Sequence, residues 1–242
     1  MSPSERASEP VSPSAGGAGD EIGLLEGLAT TRAVRRLRLD PVSGEDLAAI
    51  LFAATRAPSG SNRQPARFLV LRDGPVASEA KALLGGAFRS SWARMSQGEY
   101  ASLSPEAASG RRARTGAAMQ AFVDGFESIP VVVLACFVRH RSPTPTEGAS
   151  IYPACQNLLL AARARGLGGV MTMWHAEVEA ELRALLGVPD EVGLAATIPL
   201  GQPEGGHGPV RRRPLGEVVY EDRWDSPARW AVDPPGTRFT SG

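Results

Sequence analysis

Residues 130–138 read PVVVLACFV, a continuous apolar run rich in valine and of strand rather than helix length. Such a run leaves no polar side for water, so it predicts a central β-strand buried on both faces. A strand of that kind needs a layer of structure on each side. The chain, 242 residues with 43% hydrophobic side chains, is long enough to supply both layers as one globular domain.

The flanking sequence offers the layers. Residues 1–20 are built mainly of Ser, Pro, Gly, Ala and Glu and predict a disordered tail. A helical pattern runs from Gly23 to Leu37 through Leu24, Leu25 and Leu28, enters TTRAVRRLRLDP and stops at Pro41. Ser43 with Asp46 three residues on is a capping signature. The helix behind it places Leu47, Ile50, Leu51 and Ala54 on one face and stops by Pro58. The loop PSGSNRQP then leads to RFLVL (67–71), a strand closed by the turn pair Asp73-Gly74. Residues 76–128 read as helices with a polar interruption near 96–110. After the loop HRSPTPTEGA comes a helix from Ile151 to Arg165, ended by Gly166. A further helix, Glu177 to Leu186, turns Val178, Leu182, Leu185 and Leu186 inward and is closed by Gly187 and Pro189. VGLAATIPLG (192–201) is a strand. The tail from Arg211 carries Trp224 and Trp230, apolar surface that predicts packing onto something. This order of elements predicts a mixed α/β layer domain.

Composition removes several classes of function. Lys+Arg 26 balances Asp+Glu 26, which argues against a nucleic-acid binder, and the runs RRAR (111–114) and RRRP lack interleaved aromatics for base stacking. No apolar run is long enough to span a bilayer, and the N-terminus has no apolar core of a secretory signal. Cys136 and Cys155 are too few for a disulfide framework or a four-ligand zinc site, and both read as inert buried thiols. The expected setting is soluble, reducing and cytoplasmic, with no metal. His140, His175 and His207 stand at no telling distance from a serine or carboxylate and read as loop or surface histidines. No paired carboxylates, nucleophile elbow, phosphate loop or dinucleotide fingerprint is present. The expectation is that no side chain is the catalytic atom and that a bound cofactor carries any chemistry.

Three separated segments suggest where that cofactor sits. They are Arg32-Ala33-Val34-Arg35-Arg36 at the expected end of the first helix, Pro58 to Pro65, and Arg211-Arg212-Arg213-Pro214. Distant arginines can converge on one phosphate through paired, charge-assisted hydrogen bonds. A Ser/Gly/Asn loop fixed by prolines offers backbone and amide groups to a flat polar ligand. Each segment singly also matches a solvated basic helix end or an ordinary turn; their order and spacing together say more.

The string TTRAVRRLRLDPVSGEDLAAILFAATRAPSGSNRQPARFLVLRD resembles the N-terminal half of the FMN-dependent nitroreductase family. QNLLLAARARGLGG, LRALLGVPD, IPLGQPEG and RRRPLGEVV resemble its C-terminal half in the same order. The resemblance runs from about Leu25 to Val219 and is weakest over 76–128. It implies an α+β, three-layer α-β-α domain over residues 21–222, with a central mixed, largely antiparallel sheet. It further implies an intertwined homodimer with FMN at the subunit interface and residues 223–242 as a C-terminal arm. By position, Arg32 matches the phosphate- and ribityl-binding segment and Arg35 the basic residue at the flavin pyrimidine edge. Pro58, Ser59, Gly60 and Asn62 match the loop that a partner subunit lays on the ring. Arg212, with Arg211 as its neighbouring alternative, matches the late phosphate-binding arginine. Met171, Thr172, Met173 and Trp174 fall where the backbone approaches flavin N5.

There are departures. Ala33 replaces a serine of many members, Thr31 a further arginine, and Ala66 a tryptophan. The implied activity is NAD(P)H-dependent, with NADPH or NADH reducing the flavin and a nitroaromatic, quinone or similar acceptor reoxidising it. Two other readings stay open: a flavin-dependent dehydrogenase or oxidase tailoring a specific metabolite, and a non-catalytic flavin-binding protein. Residues 76–128 are expected to cover the open flavin face, with Phe88, Trp92 and Phe122 facing either substrate or the helix–helix core.

Overall fold

The computed structural model describes residues 22–99 and 110–237. The expectations for residues 1–20 and for most of the polar interruption near 96–110 fall outside the described residues. Four strands form one sheet in the order β1-β2-β4-β3: β1 (Ala66–Leu71), β2 (Val131–Val138), β3 (Gly168–Gly169) and β4 (Val192–Gly201). All three pairings are antiparallel.

The apolar run is the interior strand β2, and every side chain from Val131 to Phe137 is buried. Its alternation divides the hydrophobic core. Val131, Val133, Ala135 and Phe137 join Ile50, Cys155 and Leu158 on one face, whereas Val132, Leu134 and Cys136 join Phe88, Val123 and Leu182 on the other. The first face is covered by α2 (Gly44–Ala54) and α5 (Tyr152–Ala164), the second by α3 (Pro75–Glu99), α4 (Arg111–Asp124) and α6 (Glu179–Leu186). The result is the α-β-α sandwich implied by the resemblance. Ala135 faces Ala196 and Cys136 faces Leu194, so Ala195 is the extra residue of a β-bulge that re-aims the first half of β4.

Local chemistry accounts for the helix ends. Ser43 Oγ accepts from Asp46 N at 3.0 Å at the start of α2, and Leu47, Ile50 and Ala54 are buried on its inner face. Gly166 (φ +72°) and Gly187 (φ +63°) follow α5 and α6 in the left-handed conformation that glycine adopts without a Cβ penalty. Phe88 is the hub of an aromatic cluster, with ring centroids 4.5 Å from Phe126, 5.2 Å from Trp174 and 6.3 Å from Phe122. Phe88, Trp92 and Phe122 are therefore core and do not face substrate. Lys81, the chain's sole lysine, is buried on α3 and donates to the carbonyls of Ile129 at 2.7 Å and Arg72 at 2.8 Å, which ties α3 to both ends of the sheet's connecting turns.

Two expectations are corrected. The first helix, α1 (Leu24–Thr30), ends well before Leu37, and Thr31 turns into extended conformation (φ −71°, ψ 115°). The arginine segment is thus not a basic helix end: its backbone groups pair with distant strands instead of with the preceding turn. The second correction concerns His175, which is not on the surface but 3% exposed, with Nε2 3.4 Å from the Leu194 carbonyl. Burial holds its pKa below the usual histidine range, against the opposing pull of the Leu194 carbonyl and Glu179. Cys136 and Cys155 are buried free thiols, and burial pushes each pKa up to about 11, as inert cysteines require. Among the described residues, no helix is long and apolar enough to cross a membrane.

Candidate active site at the sheet edge

The arginine segment runs along the outer edge of the sheet. Val34 N donates to Gly169 O at 2.9 Å, Arg38 N to Gln202 O at 2.8 Å, and Glu204 N to Arg36 O at 3.0 Å. The chain returning from β4 stays alongside, with Arg32 Nη2 on Gly206 O at 3.0 Å and Val210 N on Ala29 O at 2.9 Å. This close assembly depends on the glycine pair of β3. A Cβ on Gly168 would sit 2.9 Å from Val34 Cγ2, and one on Gly169 would sit 2.4 Å from Pro199 O. Strand β3 itself was not foreseen; its signal was GLGG, glycine where backbones approach closely.

Arg32, Ala33, Arg35 and Arg36 line a cleft of about 360 Å³ together with Arg114, Thr115, Gly205 and Gly206. Four of its lining residues are arginines, and among the described residues none is acidic. Glu204 stands 3.6 Å from Arg36, with both side chains more than half exposed; such a pair contributes little. The positive field reaches His207, whose pKa is lowered by burial and then by Arg163, opposed by a bond to the Leu167 carbonyl, with Arg32 lowering it further. Around the same segment, Thr31 Oγ1 and His207 Nδ1 are buried polar atoms without a hydrogen-bond partner among the described residues. Beyond β3, Met171 and Met173 are exposed, and Thr172 exchanges two backbone hydrogen bonds with Thr197, 3.0 and 2.8 Å long. Arg211 and Arg212 are exposed, follow Val210 in the chain and do not line the cleft.

The Pro58–Asn62 loop is elsewhere. It precedes β1, the opposite edge strand, beside the far end of β2, since Ala66 pairs with Phe137 while Gly169 reaches Leu200 and through it Val131. With strands about 4.8 Å apart and a rise of about 3.3 Å per residue, these corners are about 25 Å apart. The loop is held open by left-handed Ser61 (φ 52°), Asn62 (φ 53°) and Gln64 (φ 49°), a conformation that costs free energy in non-glycine residues. Gly60 N donates to Ser150 Oγ at 3.1 Å and Gln64 N to Ser59 Oγ at 2.9 Å, which pins it. Of the residues singled out in the sequence, the structure brings Arg32, Ala33 and Arg35 together in one cleft, but keeps Pro58, Ser59, Gly60 and Asn62 away from them within one chain. Arg114, Thr115, Gly205 and Gly206 were not foreseen as site residues, and Arg36 only as part of the arginine segment; Arg114 lies in a cover helix whose sequence gives no hint of what it faces.

A three-layer α+β domain with an arginine-lined cleft beside a glycine-opened sheet edge has the nitroreductase architecture. Residues 28–202 match the Nitroreductase family, and the chain belongs to it. It is 31% identical over 196 residues to the NADH dehydrogenase of Thermus thermophilus, covering 78% of this chain and 90% of that one. It is 30% identical over 187 residues to the 5,6-dimethylbenzimidazole synthase of Rhodospirillum rubrum, covering 73% of this chain and 80% of the relative. A solved structure from Desulfovibrio desulfuricans, described as a nitroreductase in complex with FMN, superposes with a TM-score of 0.60 at 28% identity, covering 84% of this chain and 99% of that one.

Proposed function

We propose that this protein is an FMN-dependent oxidoreductase, with FMN held between two copies of the chain and NAD(P)H as electron donor. The observation that carries the reading is the convergence of Arg32, Arg35, Gly205 and Gly206 on one cleft at the sheet edge, where Val34 N is bonded to Gly169 O two residues before Met171. The donor set fits the cofactor: guanidinium forks suit a phosphate, and Gly205 and Gly206, where a Cβ would meet nothing within 4 Å, leave that wall of the cleft open to a flat ring. Thr31 Oγ1, a buried hydroxyl without a hydrogen-bond partner among the described residues, precedes Arg32 directly and is a further candidate donor. No acidic residue, histidine or cysteine lines the cleft among the described residues, so its side chains serve to bind and orient rather than to attack.

Bound FMN supplies two-electron transfer at its N5. Arg35 sets a fixed positive charge at the pyrimidine edge, which favours the more negative, reduced state. Arg32 holds the phosphate and ribityl end, with Arg212, or its neighbour Arg211, closing on the phosphate from the returning chain. The Thr172–Thr197 pairing would hold the backbone at Met171–Met173 in place for the approach to flavin N5. The Pro58–Asn62 loop, about 25 Å from this cleft in its own chain by strand geometry, reaches the ring from a second copy. Trp224 (83% exposed) and Trp230 (66% exposed) present apolar surface in the single chain, and we assign it to contact with that second copy. Acceptors are nitroaromatics, quinones or similar flat oxidants.

The test is the visible spectrum of the purified protein before and after anaerobic NADPH and NADH. A yellow protein that bleaches with either donor is the expected result. A colourless protein that takes up no added FMN refutes the cofactor assignment. A yellow protein that neither donor bleaches refutes the reductase direction.

A further inference from the structure

The segment from Arg139 to Ser150, outside every motif that carries the family resemblance, folds against the Pro58–Asn62 loop at the far end of β2. Val138 N donates to Pro65 O at 3.0 Å, and Gly60 N to Ser150 Oγ at 3.1 Å. Both segments line a cavity of about 240 Å³, to which Ser61, Arg63, Arg139, Arg141 and Glu147 contribute. Arg139 is fixed in place. Its guanidinium lies 5.1 Å from the centroid of the Phe137 ring and reaches both carboxylate oxygens of Glu147, each at 3.2 Å. Among the described residues Glu147 is the cavity's sole acidic lining residue, and Arg139 engages it. Arg63 and Arg141 are exposed, and neither side chain has a hydrogen-bond or ion-pair partner among the described residues. The cavity therefore presents two uncommitted guanidinium groups, one from each segment, with the Ser61 hydroxyl in the same wall.

We propose that Arg63 and Arg141 form an anion site that binds a phosphate or carboxylate group of the molecule reacting at the second copy's flavin, and so determine specificity. This inference rests on the flavin reading, in which the Pro58–Asn62 loop reaches the ring held by the other subunit. The cavity shares Gly60 and Ser61 with that loop, so the two arginines travel with it. The same strand geometry that sets the loop about 25 Å from its own chain's cleft leaves this cavity to serve the other subunit's ring. Two sources carry the anion: the phosphates of NADPH or NADH, and a carboxylate on the acceptor. A guanidinium recognises either through charge-assisted, paired hydrogen bonds, and Lys supplies the charge without the fork.

The experiment compares wild type, Arg63→Ala, Arg141→Ala and Arg63→Lys as FMN-loaded proteins. It reads the FMN dissociation constant by fluorescence and kcat/KM for two pairs of reactants. The donors are NADPH and NADH against benzyl dihydronicotinamide, which has no phosphate; the acceptors are 4-nitrobenzoate against neutral 4-nitrobenzamide. Loss of one charge-assisted contact corresponds to about a tenfold change. The expected result is that each alanine variant lowers, by about tenfold, either the preference for the phosphate-bearing donors or the preference for nitrobenzoate. Arg63→Lys restores part of the loss, while FMN affinity and turnover of the two uncharged reactants hold. A shift in the first preference assigns the anion to the donor, and a shift in the second to the acceptor. If FMN affinity falls while both preferences stay constant, the arginines serve the cofactor and the proposal is overturned. If nothing moves, or if charged and uncharged reactants slow alike, it is overturned as well. A wild-type protein that takes up no FMN fails at the earlier step and refutes the flavin reading on which this inference stands.

Discussion

Substituting Gly169 by alanine tests whether the β3 edge holds the arginine segment in place. The added Cβ would stand 2.4 Å from Pro199 O and 2.8 Å from Leu200 Cδ2. Carbon and oxygen in even a close contact stand about 3.3 Å apart, so β3 has to retreat by nearly an ångström from a backbone carbonyl that cannot rotate away. Overpacking of this kind costs about 1–3 kcal/mol. The same residue accepts the Val34 N–H at 2.9 Å and pairs with Leu200 across the sheet; weakening one such bond costs about 0.5–1.5 kcal/mol. The sum is about 2–4 kcal/mol, which for a urea slope of about 2–3 kcal/mol/M lowers the unfolding midpoint by about 1 M. Gly86→Ala is the control, since its Cβ meets nothing within 4 Å on α3, and a helical Gly→Ala change is stabilising by about 0.5–1 kcal/mol. Urea titration followed by circular dichroism, with FMN content measured on the same samples, reads both consequences. If Gly169→Ala unfolds within about 0.5 kcal/mol of wild type, the strand approach is softer than its contact distances imply. Unchanged FMN content would then show that the arginine segment does not depend on β3.

Lys81→Met fills the same space but leaves the carbonyls of Ile129 and Arg72 without their donor, and is expected to cost about 2–4 kcal/mol in a denaturation midpoint; a neutral result would mean that water replaces the ammonium. His175 has its folded-state pKa drawn below the ordinary 6.5 by burial. Below that value the unfolded chain binds the proton more readily, so stability is complete above pH 6.5 and falls as pH drops towards the folded-state pKa. The difference in unfolding free energy between pH 7.5 and 5.5 should therefore be larger in wild type than in His175→Asn, and equal differences would contradict the burial argument. Asn62→Ala should weaken FMN at the partner's site, so a mixed dimer of Asn62→Ala with Arg212→Ala should recover one intact site; no recovery would place the loop in its own subunit's site.

Much of the architecture was legible in the sequence because hydrophobic periodicity is local and survives into the fold. The run at 130–138 became the buried strand β2, the 192–201 strand was found to the residue, and Ser43, Gly166 and Gly187 marked helix ends through chemistry that acts within a few residues. The arginine segment shows where such reading stops. Leu24, Leu25 and Leu28 start a helical pattern towards Arg36, but these three leucines are exposed (71%, 79% and 48%), so they bury little apolar surface that would carry the helix past Thr30. Hydrogen bonds to Gly169 and Gln202 draw the backbone into extended form instead.

The motif order named the family and the candidate residues, because those depend on side-chain identity along the chain. Three dimensions settled the rest: that Arg32 and Arg35 share a cleft with Arg114, and that the Pro58–Asn62 loop lies at the opposite corner of the sheet. Both are decided by strand order and register, which arise from pairing between residues far apart in sequence, and no local pattern of side chains encodes which edge of a sheet a loop will reach.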